Sequence, residues 1–264
     1  MSRTPSKTIY KKAPAGAKPG SQFSKTHKEG PYWLYGRHSC EAALANPFRK
    51  ISKILVTRNA ADRLRDTLDK LVEITDVVDD RKISQLLTQD AVHQGIAMLV
   101  EPLSDGNINY QTLGNLVILL DEITDPHNIG AILRSASAFG ATSVITTFRN
   151  SPAETGVLAK SASGAMEWVR YFRVRNLVAA MEELKLEGFN IVGLDGEGDT
   201  IIDKAFSGEK IAIVMGAEGK GMRQVTAAQC DVLAKIPMDT RQESLNVSNA
   251  TAIALWEASK IISK

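Results

Sequence analysis

The sequence predicts an α/β fold with a parallel sheet, preceded by a smaller α/β unit. Two near-continuous apolar runs, Leu116–Leu120 and Ile211–Met215, are typical of strands that are buried on both faces. Between them, segments with helical spacing of apolar residues, such as 129–139, alternate with shorter apolar runs. This alternation favours a parallel sheet that is covered by helices.

Composition divides the chain into four stretches. The first is rich in Lys, Pro, Gly and Ser without apolar periodicity, and the third has the Pro, Ser, Asp and Gly content of a linker. The second and fourth have the apolar patterns of folded domains. We therefore predict a basic disordered tail at 1–30, a small α/β domain at 31–101, a linker at 102–114 and a larger α/β domain at 115–264.

The elements of the two domains follow from apolar spacing. In the small domain we predict a turn and helix after Tyr35, a strand at 53–57, a helix at 63–72 and a strand at 96–100. In the larger domain we predict strands at 116–120, 143–147, 190–194, 211–215 and 232–236. Its helices are predicted at 129–139, 157–166, 176–187 and 246–262.

Positive charge is concentrated in the tail. Residues 1–30 hold seven basic residues and one acidic residue, whereas 31–101 hold ten of each, and the whole chain carries a net charge of only +2. The remaining residues are therefore net acidic. A basic arm on such a body indicates a polyanionic partner, although a merely solubilising tail is an equally good interpretation of charge alone.

Composition also argues against several classes of protein. The two cysteines, Cys40 and Cys230, are far apart, and the four histidines form no cluster with metal-ligand spacing. We therefore expect no disulfide framework and no metal site, and a reducing, cytoplasmic location. No apolar run is long enough to cross a bilayer, so we expect no membrane anchor.

The first candidate functional residues follow the strand at 116–120, because ligands of open α/β sheets bind at the carboxyl ends of strands. Asn128 marks the start of a helix, and Arg134 lies off the apolar stripe of that helix. We expect Gly130, which has no side chain, to let a bulky group approach Arg134. An ordinary solvated arginine is the alternative interpretation.

A second candidate loop follows the strand at 211–215. Gly216, Gly219 and Gly221 surround Glu218 within six residues. Because glycine lets backbone groups approach a ligand closely, this loop is a candidate binding site with a carboxylate at its centre. A glycine-rich surface turn is the alternative, since glycine loops alone are weak evidence.

The third candidate segment runs from Ile236 to the start of the last helix. Four short polar side chains are crowded there: Ser244, Asn246, Ser248 and Asn249. Helix capping needs only one or two such residues, so we interpret part of the excess as functional. Capping and chance remain an alternative for the rest.

A nicotinamide-binding enzyme fits the sequence less well. That class has its glycine fingerprint in the first strand-to-helix turn, whereas the glycine cluster here comes late in the chain. The stretch 193–198 contains three glycines, but no apolar-periodic helix begins after it. We therefore do not expect 193–198 to bind a dinucleotide.

Together these segments resemble a known family. Residues 128–135, 215–219 and 236–248 resemble the three ordered motifs of the TrmH-type SPOUT RNA methyltransferases. The opening at 35–44 resembles the small ribosomal-L30e-like RNA-binding domain of bacterial 23S rRNA (guanosine-2′-O)-methyltransferases. The likeness covers about residues 33–262, but 239–243 lacks the glycine-containing stretch of many relatives, which leaves the conformation of that loop open.

The resemblance implies a function and a set of site residues. It implies 2′-O-methylation of a ribose in RNA, a guanosine of 23S ribosomal RNA, by a homodimer with a C-terminal trefoil knot. S-adenosylmethionine would be held by Gly216, Ile236 and Leu245. The catalytic and substrate-facing set would be Asn128, Arg134, Glu218, Ser244 and Asn246.

Two questions stay open at the level of sequence. The family mechanism gives proton removal to Arg134, but arginine is effectively never deprotonated in proteins, so a bidentate phosphate clamp is the alternative role. Other targets are also compatible: transfer RNA, or an adenosine of ribosomal RNA. A non-catalytic RNA-binding protein with the same fold is a third possibility.

Overall fold

The structure is a computed structural model that describes residues 30–103, 108–239, 241 and 244–262. The predicted tail at 1–30 therefore lies outside the described residues except for Gly30. The same holds for 104–107 of the predicted linker and for three residues of the segment 239–243. No helix in the described part is both long enough and apolar enough to span a bilayer.

The small domain is built on a four-stranded sheet with the order β1-β4-β2-β3. Strand β4 is antiparallel to both of its neighbours, and β2 and β3 are parallel. Its elements are β1 (Tyr32–Tyr35), α1 (Arg37–Ala45), β2 (Ile51–Val56), α2 (Arg58–Arg63), α3 (Arg65–Leu68), β3 (Thr75–Val77), α4 (Asp80–Ser84) and β4 (Ile96–Val100). The helix predicted at 63–72 is instead broken, because Leu71 has a non-helical backbone inside the 3₁₀ turn Asp69–Ile74.

The larger domain has a seven-stranded sheet with the order β7-β6-β5-β10-β8-β11-β9. All six strand pairings are parallel, which confirms the predicted fold class. Its elements are β5 (Leu116–Leu120), α5 (Pro126–Ala138), β6 (Ser143–Thr147), α6 (Gly156–Ala162), β7 (Arg170–Val174), α7 (Leu177–Leu186), β8 (Asn190–Leu194), β9 (Thr200–Ile201), β10 (Ile211–Met215), α8 (Gln224–Ala227), β11 (Val232–Lys235) and α9 (Val247–Ile262).

Both faces of this sheet are buried. Leu116, Ile118 and Leu120 of β5 pack in one apolar cluster with α5 and α9, whereas Val117 and Leu119 pack in a second cluster with α7. This alternation is the expected result of strand geometry, in which successive side chains point to opposite faces. After β11 the chain returns across the carboxyl edge so that α9 packs on α5 and β10. The knot that the resemblance implies would lie in this return, and it stays a prediction.

Helix α5 lies unusually close to α6. A Cβ atom at Gly130 would be only 2.3 Å from the Cβ of Ser161, so no larger residue fits there. The expectation that Gly130 leaves room for a group approaching Arg134 was therefore wrong. The missing side chain lets two helices pack closely.

The small domain is fixed to α6 by close packing and by a buried cluster of charges. A Cβ atom at Gly156 would lie 2.3 Å from the carbonyl oxygen of Trp33. Arg49 of the small domain forms ion pairs with Glu154 at 2.7 Å and with Glu167 at 2.6 Å. The side chains of Arg49 and Glu154 are 0% exposed, and that of Glu167 is 2% exposed.

Every charged group in this cluster has further hydrogen bonds. Tyr32 donates to Glu154 at 2.7 Å, Asn46 donates to Glu167 at 2.8 Å, and Arg49 also donates to the carbonyl oxygen of Glu101. Burial alone would lower the pKa of Arg49, but its hydrogen bonds to Glu167 and the surrounding negative charges raise it above its ordinary value. Burial, and then the charge of Glu154, raise the pKa of Tyr32, so Tyr32 remains a donor.

We predict that Arg49→Met lowers the free energy of unfolding by about 3–5 kcal/mol, because it leaves two carboxylates buried without their partner. Urea unfolding followed by circular dichroism measures the change. The adjacent Lys50, which pairs with Glu101 at an exposed site, provides the control. Lys50→Met should change the free energy of unfolding by less than about 1 kcal/mol. If both variants lose the same small amount of unfolding free energy, this account of the cluster is contradicted.

Candidate active site

Three of the predicted site residues meet through one carboxylate oxygen. Oε1 of Glu218 accepts hydrogen bonds from the side-chain amide of Asn246 at 2.7 Å and from that of Asn128 at 3.4 Å. The Asn246 amide also donates to Oδ1 of Asn128 at 3.0 Å. The cluster is open to solvent, so a substrate can reach it.

The same carboxylate caps the last helix. The backbone N–H of Val247, the first residue of α9, donates to Oε1 of Glu218 at 3.2 Å. Asn246 also caps the helix through its side-chain carbonyl oxygen, because Oδ1 accepts the backbone N–H of Ser248 at 3.0 Å. A helix N-terminus favours negative charge, so the position of Glu218 is electrostatically favourable. Asn246 is therefore both a cap and a member of the cluster.

A cavity of about 340 Å³ lies beside the cluster, within the size range of small-molecule sites. It is bounded by the ends of β8, β10 and β11. The three residues predicted to hold a cofactor all line it: Gly216, Ile236 and Leu245. Glu218 and Ser244 of the predicted catalytic set line it as well.

One part of this cavity was missed by the analysis of the sequence. One wall is formed by Leu194, the last residue of β8, and by Asp195, Gly196 and Glu197 after it. We considered this stretch only as a dinucleotide fingerprint and rejected it on that ground. The signal that could have identified it is its position directly after a buried strand, which is the rule that identified the other loops.

The loop after β10 is closed on itself. Ala217 and Gly221 exchange two backbone hydrogen bonds, at 3.1 and 2.9 Å. A Cβ atom at Gly216 would lie 2.2 Å from the carbonyl carbon of Gly221. Gly216 leaves space for the far side of its own loop, whose shape then forms the cavity wall. That Gly216 also lets the backbone approach a ligand stays a prediction.

A second cavity, of about 510 Å³, adjoins the first. The two share Ala217, Glu218, Lys220 and Val247, so Glu218 stands between them. Polar side chains in the lining of the second cavity include Glu122, Asp125, Asn128 and Asn150. Two ligands could therefore meet at Glu218, one from each side.

The residue before Glu122, which lines the second cavity, is a buried carboxylate. Asp121 accepts the backbone N–H of Arg223 at 2.9 Å and its guanidinium Nη2 at 2.7 Å. Hydrogen bonding to Asp121 raises the pKa of Arg223. Next to Asp121, Glu122 has φ +60°, a conformation that is uncommon outside glycine, and accepts a hydrogen bond from Asn150 at 3.1 Å.

Arg134 lies outside the cluster of Asn128, Glu218 and Asn246. It lies six residues after Asn128 on α5, which places it about 9 Å further along the helix axis. Its side chain is exposed, and it makes no hydrogen bond or ion pair with any residue that the structure describes. It lines neither cavity. The sequence prediction that Arg134 lies off the apolar stripe is confirmed, since Ile129, Ile132 and Leu133 are the buried residues of α5.

The comparisons with known proteins identify the family. A model described as the SpoU rRNA methylase family matches residues 115–256, and a model described as RNA 2′-O ribose methyltransferase substrate binding matches 33–105. The chain belongs to the SpoU rRNA methylase family. The two matched segments agree with the larger and the small domain of the structure.

Relatives support this membership over most of the chain. The 23S rRNA (guanosine-2′-O-)-methyltransferase RlmB of Vibrio vulnificus is 40% identical, over 86% of this chain and 95% of the relative. An uncharacterized tRNA/rRNA methyltransferase of Synechocystis is 36% identical over 91% of this chain, which spans only 65% of that protein. The SpoU methyltransferase AviRb of Streptomyces viridochromogenes, solved with AdoMet, shares the fold. Its TM-score is 0.74 at 22% identity, over 88% of this chain and 90% of that one.

The first cavity fits S-adenosylmethionine, the cofactor of this family. Apolar side chains such as Ile236 and Leu245 suit an adenine ring, and the carboxylates of Asp195, Glu197 and Glu218 suit the positive charges of the sulfonium and ammonium groups. In the part of the chain that the structure describes, no three His, Cys, Asp or Glu side chains are grouped to hold a metal ion.

We predict that Gly216→Ala lowers the free energy of unfolding by about 1–3 kcal/mol, because its methyl group meets backbone atoms of Gly221 and Met222. Because the loop must then shift, S-adenosylmethionine affinity should also fall. Gly196→Ala is the matched control, since it lines the same cavity and its Cβ would meet nothing within 4 Å. Calorimetry and urea unfolding measure both effects. Similar results for the two variants would show that the loop tolerates the methyl group.

Proposed function

We propose that this protein methylates the ribose 2′-hydroxyl of a guanosine in 23S ribosomal RNA, using S-adenosylmethionine. The observation that carries the proposal is that Glu218 stands between a cavity fitting the cofactor and a second cavity whose lining holds two asparagines and two further carboxylates. The names of several relatives at 35–40% identity support the reaction and the target. Such an enzyme works on ribosomal RNA in the cytoplasm.

The chemistry divides into alignment and the handling of one proton. S-adenosylmethionine, when bound, supplies an electrophilic methyl group. The protein must hold the ribose oxygen in line with that group and accept the hydroxyl proton. All three hydrogen bonds that Glu218 accepts end on Oε1, so among the described residues no donor is bonded to Oε2. We infer that Oε2 accepts the hydrogen bond of the ribose hydroxyl and then its proton as the methyl group is transferred, while Asn128 and Asn246 hold the carboxylate in place.

For Arg134 we propose the role of a phosphate clamp. Its position is about 9 Å along α5 from Asn128, and its exposed side chain lines neither cavity. The offset suits a backbone phosphate of the same RNA strand, which a guanidinium can bind with two parallel hydrogen bonds. Ser244, at the wall of the first cavity, is proposed to contact the substrate or cofactor at the methyl-transfer point.

We propose a division of labour between the domains. Residues 31–101 bind the structured RNA, 102–114 connect the domains, and 115–264 catalyse the transfer. The basic residues of 1–30 add non-specific affinity for phosphate. The buried ion pairs of Arg49 fix the RNA-binding domain beside α6, so RNA bound there has a defined direction of approach to the site.

The proposal is tested by mapping 2′-O-methylation of 23S rRNA in cells with and without the gene. We expect one methylated guanosine to disappear and to return when the wild-type protein is supplied. Arg134→Ala should not restore it, and Arg134→Lys should restore little, because an ammonium group cannot reproduce a bidentate clamp. S-adenosylmethionine affinity, measured by calorimetry, should be retained in both variants.

Other outcomes distinguish the alternatives. If cells without the gene instead lose a 2′-O-methyl group from transfer RNA or from an adenosine, that nucleotide is the target. If no RNA loses a methyl group, a non-catalytic protein is favoured. In single-turnover assays, substantial activity of Arg134→Lys that rises with pH would identify residue 134 as a base. Full activity of Arg134→Ala would remove Arg134 from the site.

We also propose that the protein is a homodimer, as its family resemblance implies. Helix α9 exposes Ile253 and Trp256 on one face, and Trp256 is 52% exposed. Its ring lies 5.9 Å from that of Phe139, next to the exposed Ala138 at the end of α5. Exposed apolar surface shared by two adjacent helices is typical of a subunit interface.

We predict that Trp256→Glu converts the dimer to a monomer at micromolar concentration, because it buries a charge at the centre of that interface. Analytical ultracentrifugation measures the change in mass. Trp168→Glu is the matched control, since Trp168 is 61% exposed but lies between α6 and β7, away from α9. If Trp168→Glu dissociates the protein and Trp256→Glu does not, the interface lies elsewhere.

A further inference from the structure

A basic segment stands out on the otherwise acidic larger domain. Between residues 148 and 175 there are five basic residues and two acidic ones. Both acidic residues, Glu154 and Glu167, are buried against Arg49 of the small domain. The exposed charge of this segment is therefore entirely positive, and nothing in the proposed chemistry has used it.

Two residues of this segment form a cation–π pair at the surface. The guanidinium carbon of Arg173 lies 4.7 Å from the ring centroid of Phe148. Phe148 is 41% exposed, so part of its ring is accessible from solvent. Arg149 and Arg175, which closely follow the carboxyl ends of β6 and β7, are exposed beside this pair.

The pair lies on the edge of the sheet that carries the candidate active site. Strands β6 and β7 are parallel to β5 and β10, so their carboxyl ends face the same way. Neighbouring strands are about 4.8 Å apart, which places the end of β6 roughly 10 Å from the end of β10. Arg173 also shares a sheet face with Tyr171, which packs in the apolar cluster of α5.

One residue close to the pair in sequence lines the second cavity. Asn150, two residues after Phe148, lines the second cavity together with Asn128 and Glu218. It donates to Glu122 across that cavity at 3.1 Å. A strand that leaves the second cavity past Asn150 would therefore reach Phe148 and Arg173.

We propose that Phe148 and Arg173 form a stacking platform for the base next to the methylated nucleotide, with Arg149 and Arg175 contacting its phosphates. Unpaired RNA bases stack on aromatic rings and on guanidinium planes, and phosphates attract arginine. The platform thus takes a single-stranded RNA segment, in which the target nucleotide is unstacked from its neighbour. This inference rests on the proposed function.

The test compares Phe148→Ala with Phe148→Trp and with Trp168→Ala. The RNA is full-length 23S rRNA transcribed in vitro, assayed for methyl transfer and for direct binding. Phe148→Ala should raise the KM for RNA and weaken RNA binding about 10- to 100-fold, with kcat and S-adenosylmethionine affinity retained. Phe148→Trp should restore binding, because its ring also stacks. Trp168→Ala removes an exposed aromatic at the amino end of β7 and should be silent.

The salt dependence of RNA binding provides a second measurement. Replacing Arg149 and Arg175 by alanine should flatten the slope of log affinity against log salt by roughly 0.7 for each lost phosphate contact. Arg170→Ala, at the amino end of β7, should leave the slope unchanged.

Several results would overturn the platform. One is equal RNA affinity of Phe148→Ala and Trp168→Ala. Another is dissociation of the protein into monomers by Phe148→Ala, since a second copy of the chain would then cover Phe148. Loss of S-adenosylmethionine binding in Phe148→Ala would indicate a structural role instead. If the wild type binds RNA but transfers no methyl group, the proposed function fails, while the binding comparison still decides the platform.

Discussion

The carboxylate of Glu218 joins segments of the chain that are far apart in sequence. Its hydrogen-bond partners Asn128 and Asn246 are 90 and 28 residues away. They meet because β5 and β10 are adjacent and parallel, so the loops that follow them share an edge, and because α9 starts at that edge. Without the side chain of Glu218, the start of α9 and both asparagine amides would lose a shared acceptor. Site geometry and the packing of α9 therefore depend on the same interaction.

Close approach of backbone segments is the second constraint. Glycines that look functional in the sequence, Gly130 and Gly216, have their side-chain space filled by protein atoms. At the contact between the domains, the side-chain space of Gly156 and Gly164 is likewise filled by protein atoms. These positions let helices and loops touch, and the cavities are the spaces that remain. A ligand thus meets a surface whose shape was fixed by packing within the protein.

How far the sequence could predict this structure depends on burial. Strands buried on both faces, such as β5 and β10, have an unmistakable apolar pattern, and the loops after them were located correctly. Strand β7 was missed because it lies at the sheet edge and carries Arg170 and Arg173, which break the pattern. The pairing of Arg49 with Glu154 and Glu167, 105 and 118 residues away, has no local signal at all. The isolation of Arg134 from Glu218 likewise became visible only in three dimensions.

The distribution of charge explains how such a site could select a ribose over a phosphate. The linings of the two cavities hold five carboxylates, Glu122, Asp125, Asp195, Glu197 and Glu218, and one lysine, Lys220. Their net negative charge attracts a cationic cofactor and repels the RNA backbone. Arginines stand outside this acidic centre, on α5 and along the ends of β6 and β7. A strand whose phosphates are held at that distance can present only an uncharged part of a nucleotide to Glu218. The ribose and the base are the uncharged parts of a nucleotide. The acidic cavities and the arginines around them therefore favour entry of the ribose, which carries the 2′-hydroxyl.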